Sequence, residues 1–243
     1  MPRPRRSPCW RRSAASSASL SAMTASRMAG SKSTGSSCPD RKAVFPAGPG
    51  HAMRWVMSFR ARLDSTVSRY LAEVAGPREH LALLRWQIGE RHALDRRETL
   101  PGHATTSAFV VSPDHAQVLL IDHVVIERWL QPGGHYEPAA SFHASAFREA
   151  VEETGVTGLV LHPWHRGEDL PFAIDSHEVP GNPRRSELPH IHHDLQYLFI
   201  ADPSLPLIAQ EEEVHAAAWK PIAALAEIAP VAFARLRTAG PPG

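Results

Sequence analysis

The stretch from Gly134 to Val156 constrains this chain most: a glycine loop leads into Phe147-Arg148-Glu149-Ala150-Val151-Glu152-Glu153-Thr154-Gly155. At about 100° per residue, Glu149, Glu152 and Glu153 share one sector of a helix, while Phe147, Ala150 and Val151 cluster roughly opposite. A helix divided in this way docks its apolar side on a core and turns its acids to a cavity or to water. Three crowded carboxylates repel one another, and a cation among them removes that cost. Oxygen-only donors favour hard ions, Mg²⁺ or Mn²⁺ above all. The competing reading is a solvated charged face near a helix C-terminus, where the charges also oppose the macrodipole.

The order and spacing of the surrounding residues favour the metal reading. The segment resembles the Nudix box, G-x5-E-x7-R-E-U-x-E-E-x-G-U, with U a bulky aliphatic residue. Gly134, Arg148, Glu149, Glu152, Glu153, Gly155 and Val156 match in place. Ala140 stands where the first glutamate belongs, and Ala150 is smaller than the usual aliphatic. Glu137 precedes Ala140 and compensates for it only if the loop bends towards the helix.

The resemblance implies an α/β fold, a Nudix-type α/β/α sandwich around a mixed β-sheet. It also implies cleavage of a nucleoside diphosphate linked to another moiety, with water attacking phosphorus. Mg²⁺ (or Mn²⁺) would be the cofactor, with Glu149, Glu152, Glu153 and the Gly134 carbonyl as ligands. Arg148 lies one turn before Glu152, so an ion pair can hold that carboxylate in its ligating rotamer; contact with a substrate phosphate is the alternative. In the family the general base moves between the box and a later loop. Glu212, within Glu211-Glu212-Glu213, is the candidate from that loop, against a plain charged turn. Family members often pair, so a homodimer is expected as an option. The departure at Ala140 keeps a second function open, a low-activity or non-catalytic nucleotide-binding or regulatory module.

Histidine is the second anomaly, with 15 in the chain. In His190-Ile191-His192-His193-Asp194, alternation along a strand puts His190, His192 and Asp194 on one face. Such a face can bind zinc or another transition metal, grip substrate phosphates beside the acidic helix, or be a polar sheet edge. The helical preface and the GGH-x-E form of the glycine loop resemble a bacterial Nudix subgroup, which favours a substrate-facing role. His135, next to the glycine loop, is a further candidate for contact with phosphate.

Charge divides the chain unevenly. Residues 1–52 hold nine Lys or Arg and one acid, Asp40, leaving 17 basic and 24 acidic residues elsewhere, a net of −7. The first segment, rich in Ser, Arg, Gly and Pro, is expected to be disordered. It reads as a transit peptide, a nucleic-acid-binding arm, or translation from upstream of a true start at Met53 or Met57. Nucleic acid is not an expected partner of the acidic remainder. Both cysteines, Cys9 and Cys38, lie in this segment, which rules out disulfides and cysteine nucleophiles beyond it. No apolar run approaches the ~20 residues that span a bilayer, and a cytoplasmic setting is expected.

Residues 53–98 read as a helical preface, with Val67, Tyr70, Leu71 and Val74 on one face and Leu81, Leu84, Trp86 and Ile88 following the break at Gly76-Pro77. The domain proper, 99–238, should begin with a hairpin from His103–Val111 to Gln117–Asp122. A short strand at Trp129-Leu130 leads into the Gly133-Gly134 loop. Further strands are expected at Leu195–Ala201 and Val214–Trp219, and a closing helix from Pro221 to about Arg237.

Overall fold

The computed structural model of the chain describes residues 57–74, 76, 78–124, 126–181, 188–209 and 214–240. The basic segment 1–52 and Glu212 lie outside the described residues.

Two helices come first, α1 (Phe59–Glu73) and α2 (Ala82–Gly89). Ser58 starts α1 by accepting a hydrogen bond from the Ala61 amide at 3.3 Å, and Leu63, Val67 and Tyr70 form its buried stripe. In α2, Leu84 and Ile88 are buried one turn apart. Trp86, expected on that face, is exposed, because two residues on a helix are about 200° apart.

The strands are β1 (Gly102–Val111), β2 (Gln117–His123), β3 (Arg128–Leu130), β4 (Gly133–His135), β5 (Val160–Leu161), β6 (Ala173–Val179), β7 (His190–Ile200) and β8 (Val214–Pro221). They form one mixed sheet in which β1 and β7 run parallel over their lengths, from Gly102↔Ile191 to Val111↔Ile200, and the other pairings are antiparallel. The hairpin partners β1 and β2 pair only at Val110↔Leu119 and Val111↔Val118. Beyond that point they diverge: β2 takes β3 as its neighbour and β1 takes β4. The split leaves the backbone of Gly133 and Gly134 at the edge of an opening in the sheet.

Alternation along the strands sorts two apolar layers. Ala104, Ala108 and Val110 of β1, Leu119 of β2 and Leu195, Tyr197 and Phe199 of β7 pack with α1, α2 and α3 (Phe142–Thr154). Phe109, Val111, Val118, Leu120 and Leu198 face the other way, towards Leu225 of α4 (Leu225–Ile228) and Ala232 and Leu236 of α5 (Pro230–Ala239). Helices on both faces of a mixed sheet make the expected α/β/α sandwich.

Three elements differ from expectation. The closing helix is broken: Pro221 ends β8, and Pro230 starts α5 while Ala229 takes φ −143°, ψ 70°. Proline supplies no amide and pushes the residue before it out of the helical region. Strand β7 begins at His190 instead of Leu195, and β6 carries no run of apolar residues that would announce it. The two pair from Ala173↔Gln196 to Val179↔His190, and their polar side chains are kept because they face a cleft. Among the described residues, no helix is long and apolar enough to cross a membrane.

Candidate active site

Helix α3 is held at both ends. Ser141 accepts from the Ala144 amide at 3.1 Å, and the Asp169 carboxylate accepts from the Phe142 and His143 amides at 2.9 and 3.0 Å. A carboxylate at a helix N-terminus satisfies free amides and meets the positive end of the dipole. Burial works against the Asp169 charge, but hydrogen bonds from the His143 ring and from both amides keep its pKa below the usual value. At the other end Gly155 takes a left-handed φ of +63° and donates to the Val151 carbonyl at 2.8 Å.

The buried stripe of α3 is Phe142, Ala146, Ala150 and Thr154, flanked by Ser145 and Glu153. This corrects the expected division of the helix. Phe147 is 39% exposed, whereas Glu153 is 4% exposed and sits against the sheet. Its carboxylate accepts from the Gly133 amide at 2.8 Å, so α3 is fastened to the glycine loop.

Arg148 gathers the other acids. Its guanidinium donates to Glu149 at 2.7 Å and to Glu152, one turn on, at 2.6 Å, and lies 3.6 Å from Glu137. The loop therefore does bend enough to bring Glu137 beside Arg148. Glu149 is enclosed, with 13% of its side chain exposed, whereas Glu152 is half exposed. Burial pushes the Glu149 carboxyl up to about 7, against the pull of Arg148 and with further push from Glu152 and Glu137.

The glycine loop has to be glycine for want of space. A Cβ on Gly134 would lie 2.7 Å from Glu149 Oε2, and one on Gly133 would lie 2.4 Å from the Ser107 Cβ. Loop backbone and box carboxylates thus share one small volume. Oxygen donors, a cradle that a single methyl would fill and a carboxylate costly to ionise alone together fit a hard divalent ion.

Beside the acids opens a cleft of about 470 Å³. Thr105 and Ser107 of β1 and Asp194 and Gln196 of β7 line it, together with His135, His177, His192, Glu153 and Gly134. Asp194 is fully buried and accepts from Ser107 at 2.6 Å, Gln196 at 3.0 Å and Thr105 at 3.2 Å. Burial raises its pKa, and those hydrogen bonds oppose the rise. Asp194 therefore organises its neighbours rather than offering a free carboxylate to a ligand. His190 is not among the residues that line the cleft; its ring centroid lies 4.9 Å from that of His192. Burial drives the His192 pKa down to about 2, helped by the neighbouring His135 and His103, so this ring is neutral at ordinary pH.

The spacing in the sequence did not indicate His103, Asp169 or Arg62. His103 shares a strand face with Thr105 and Ser107, but that alternation is masked by apolar neighbours. Arg62 of α1 donates to the carbonyls of Ala139 and Ala140 at 3.0 Å each and to the Tyr136 hydroxyl. Its guanidinium also lies 4.7 Å from the Phe142 ring centroid.

A family model, the NUDIX domain, matches residues 101–238. The chain belongs to the Nudix family. Membership sets the reaction class as hydrolysis of phosphoric anhydride bonds. No curated protein gives a significant match. Solved structures do. A Nudix-family hydrolase from Clostridium perfringens is 23% identical, covering 56% of this chain and 97% of its own, with a TM-score of 0.41. A C. elegans Ap4A hydrolase in a binary complex is 14% identical over 56% of this chain and 95% of its own, with a TM-score of 0.40. A MutT Nudix hydrolase from Burkholderia pseudomallei is 17% identical over 50% and 84%, with a TM-score of 0.33.

Proposed function

We propose that this Nudix protein is a Mg²⁺- or Mn²⁺-dependent pyrophosphohydrolase that cleaves the diphosphate of a nucleoside diphosphate linked to another moiety. The observation that carries this reading is the convergence of Glu149, Glu153 and the Gly133-Gly134 backbone at the end of a cleft, with Glu152 beside them across Arg148.

Glu149, Glu152 and Glu153, with the Gly134 carbonyl, would hold the ion. When bound, the ion neutralises phosphate oxygens and lowers the pKa of water at phosphorus. Arg148 fixes the rotamers of Glu149 and Glu152. Glu153 keeps α3 and the glycine loop in register through its bond to the Gly133 amide. The base that takes the proton of the attacking water is Glu212 or Glu149. His135 and His192 form the cleft wall that faces the substrate, with Asp194 holding Thr105, Ser107 and Gln196 as its floor.

Glu152→Gln tests the reading, because the half-exposed side chain is not needed for packing. Turnover with Mg²⁺ on a panel of nucleoside diphosphate derivatives should fall by about two orders of magnitude or more, while the melting temperature stays close to that of the parent. Unchanged kinetics would refute the ligand assignment.

A further inference from the structure

Beside the acidic site, the sheet gathers four histidines. His103 on β1 is flanked by His135 on β4 and by His190 and His192 on β7, and the register pairs His103 with His192 and Thr105 with His135. One ring nitrogen from each of the four can be chosen so that all lie within 4.8 Å of one another. The His103 ring centroid is 5.0, 4.8 and 5.0 Å from those of His135, His190 and His192.

Two further observations point to a ligand at this place. His103 is 2% exposed, and its Nε2 is buried without a hydrogen-bond partner. Buried polar atoms in this state call for an explanation, and at His103 a bound ion supplies one. The outer nitrogens are anchored as well. His190 Nδ1 donates to the Leu188 carbonyl at 2.8 Å, and His103 Nδ1 faces the Thr99 carbonyl at 3.4 Å. Donation from Nδ1 leaves Nε2 unprotonated, the tautomer a metal needs, and such outer hydrogen bonds accompany ligating histidines almost always. His190 Nε2 and His192 Nε2 lie 3.1 Å apart and share a hydrogen bond, which an ion between them would replace. Tetrahedral Zn–N bonds of about 2.0–2.1 Å place ligand nitrogens about 3.3 Å apart, near the 3.1 Å of this pair and within the 4.8 Å that bounds the set.

We propose that His103, His135, His190 and His192 form a site for a first-row transition ion of the Zn²⁺ class, separate from the carboxylate site that takes Mg²⁺. All-imidazole donors select borderline ions over hard ones, so the two sites differ in the ion they take. An ion here ties β4, the strand that carries Gly133 and Gly134, to β1 and β7. His135 and His192 also line the cleft, so the ion sets a fixed positive charge in its wall. That second consequence rests on the proposed phosphate-bearing substrate; the binding of the ion does not.

The test uses the full chain with Cys9→Ser and Cys38→Ser, so that no thiol competes, freed of metal by chelator and kept in excess Mg²⁺. Titration with Co²⁺ should give the visible bands of a tetrahedral centre, saturating at one equivalent and erased by one equivalent of Zn²⁺. The bands should vanish, with affinity down at least 100-fold, in His190→Ala and in His192→Ala, both with the parent's circular dichroism spectrum. They should persist in Glu149→Gln/Glu152→Gln, which disables the carboxylate site. Absence of tetrahedral bands at stoichiometric Co²⁺, survival of binding in both histidine variants, or its loss in the glutamate variant each overturns the proposal. Because the readout is spectroscopic, failure here leaves the hydrolase reading intact, and failure of that reading leaves this one intact.

Discussion

Glu149 is caught between burial, which disfavours its charge, and Arg148, which favours it, and burial wins. The folded-state pKa of about 7 lies above the ordinary carboxylate value, so folding favours the protonated form and the metal-free protein loses stability as pH rises through that interval. A shift of this size corresponds to something on the order of 3 kcal/mol. Glu149→Gln should therefore match the parent near pH 4.5 and become more stable by up to that order near pH 8, in denaturant melts without metal. Equal stability of the two proteins across that range would show that Glu149 is not held in a costly environment. Mg²⁺ should narrow the difference, because only the ionised carboxylate ligates. The neighbouring constraint is steric. Gly134→Ala places a methyl 2.7 Å from Glu149 Oε2 and should weaken Mg²⁺ binding and lower turnover, measured by Mg²⁺ titration of the rate. The acids themselves were legible from their spacing. The burial of Glu153 was not, since it depends on a hydrogen bond to an amide 20 residues away that no helical period reports.

The loop between β4 and α3 is held from outside the box. Arg62 reaches from α1 to the carbonyls of Ala139 and Ala140, so a helix of the preface fixes the residue that replaces the first box glutamate. Arg62→Ala should lower kcat several-fold with a smaller change in the melting temperature, because the loop loses its clamp while the apolar stripe of α1 stays. An unchanged kcat would make the preface a packing element alone. Ala140→Glu is the complementary change, and a gain in rate would show that the missing carboxylate costs turnover. At the far end of α3, Gly155→Ala should destabilise by about 1–2 kcal/mol in thermal melts, since φ is +63° and Ile208 sits 2.9 Å from the added carbon. The apolar strands β1 and β2 and both helices of the preface were readable from periodicity. Strand β6 was not, because its residues serve a cleft and show no core pattern, and the first half of β7 showed only in the alternation of His190, His192 and Asp194. The divergence of β1 from β2 is a tertiary choice invisible in either strand, yet it sets the glycine loop beside the acids.

Two chemistries lie side by side in the folded part of the chain: carboxylates on α3, and imidazoles on β1, β4 and β7, of which His135 and His192 share the cleft with Glu153. The sandwich was implied by the resemblance of one 23-residue stretch to the Nudix box, and the acidic half by the spacing of the carboxylates within it. Assembly of the histidine half needed the parallel pairing of β1 with β7, which brings together residues some 90 positions apart. If the acidic half is the catalytic centre, product release depends on a divalent metal. Purified protein is incubated with nucleoside diphosphate derivatives with and without Mg²⁺, and phosphorylated products are measured. Release should require Mg²⁺, stop with chelator and be nearly lost in Glu152→Gln. No product from any substrate, with nucleotide binding intact, would contradict it and leave a Nudix-fold binding module in its place.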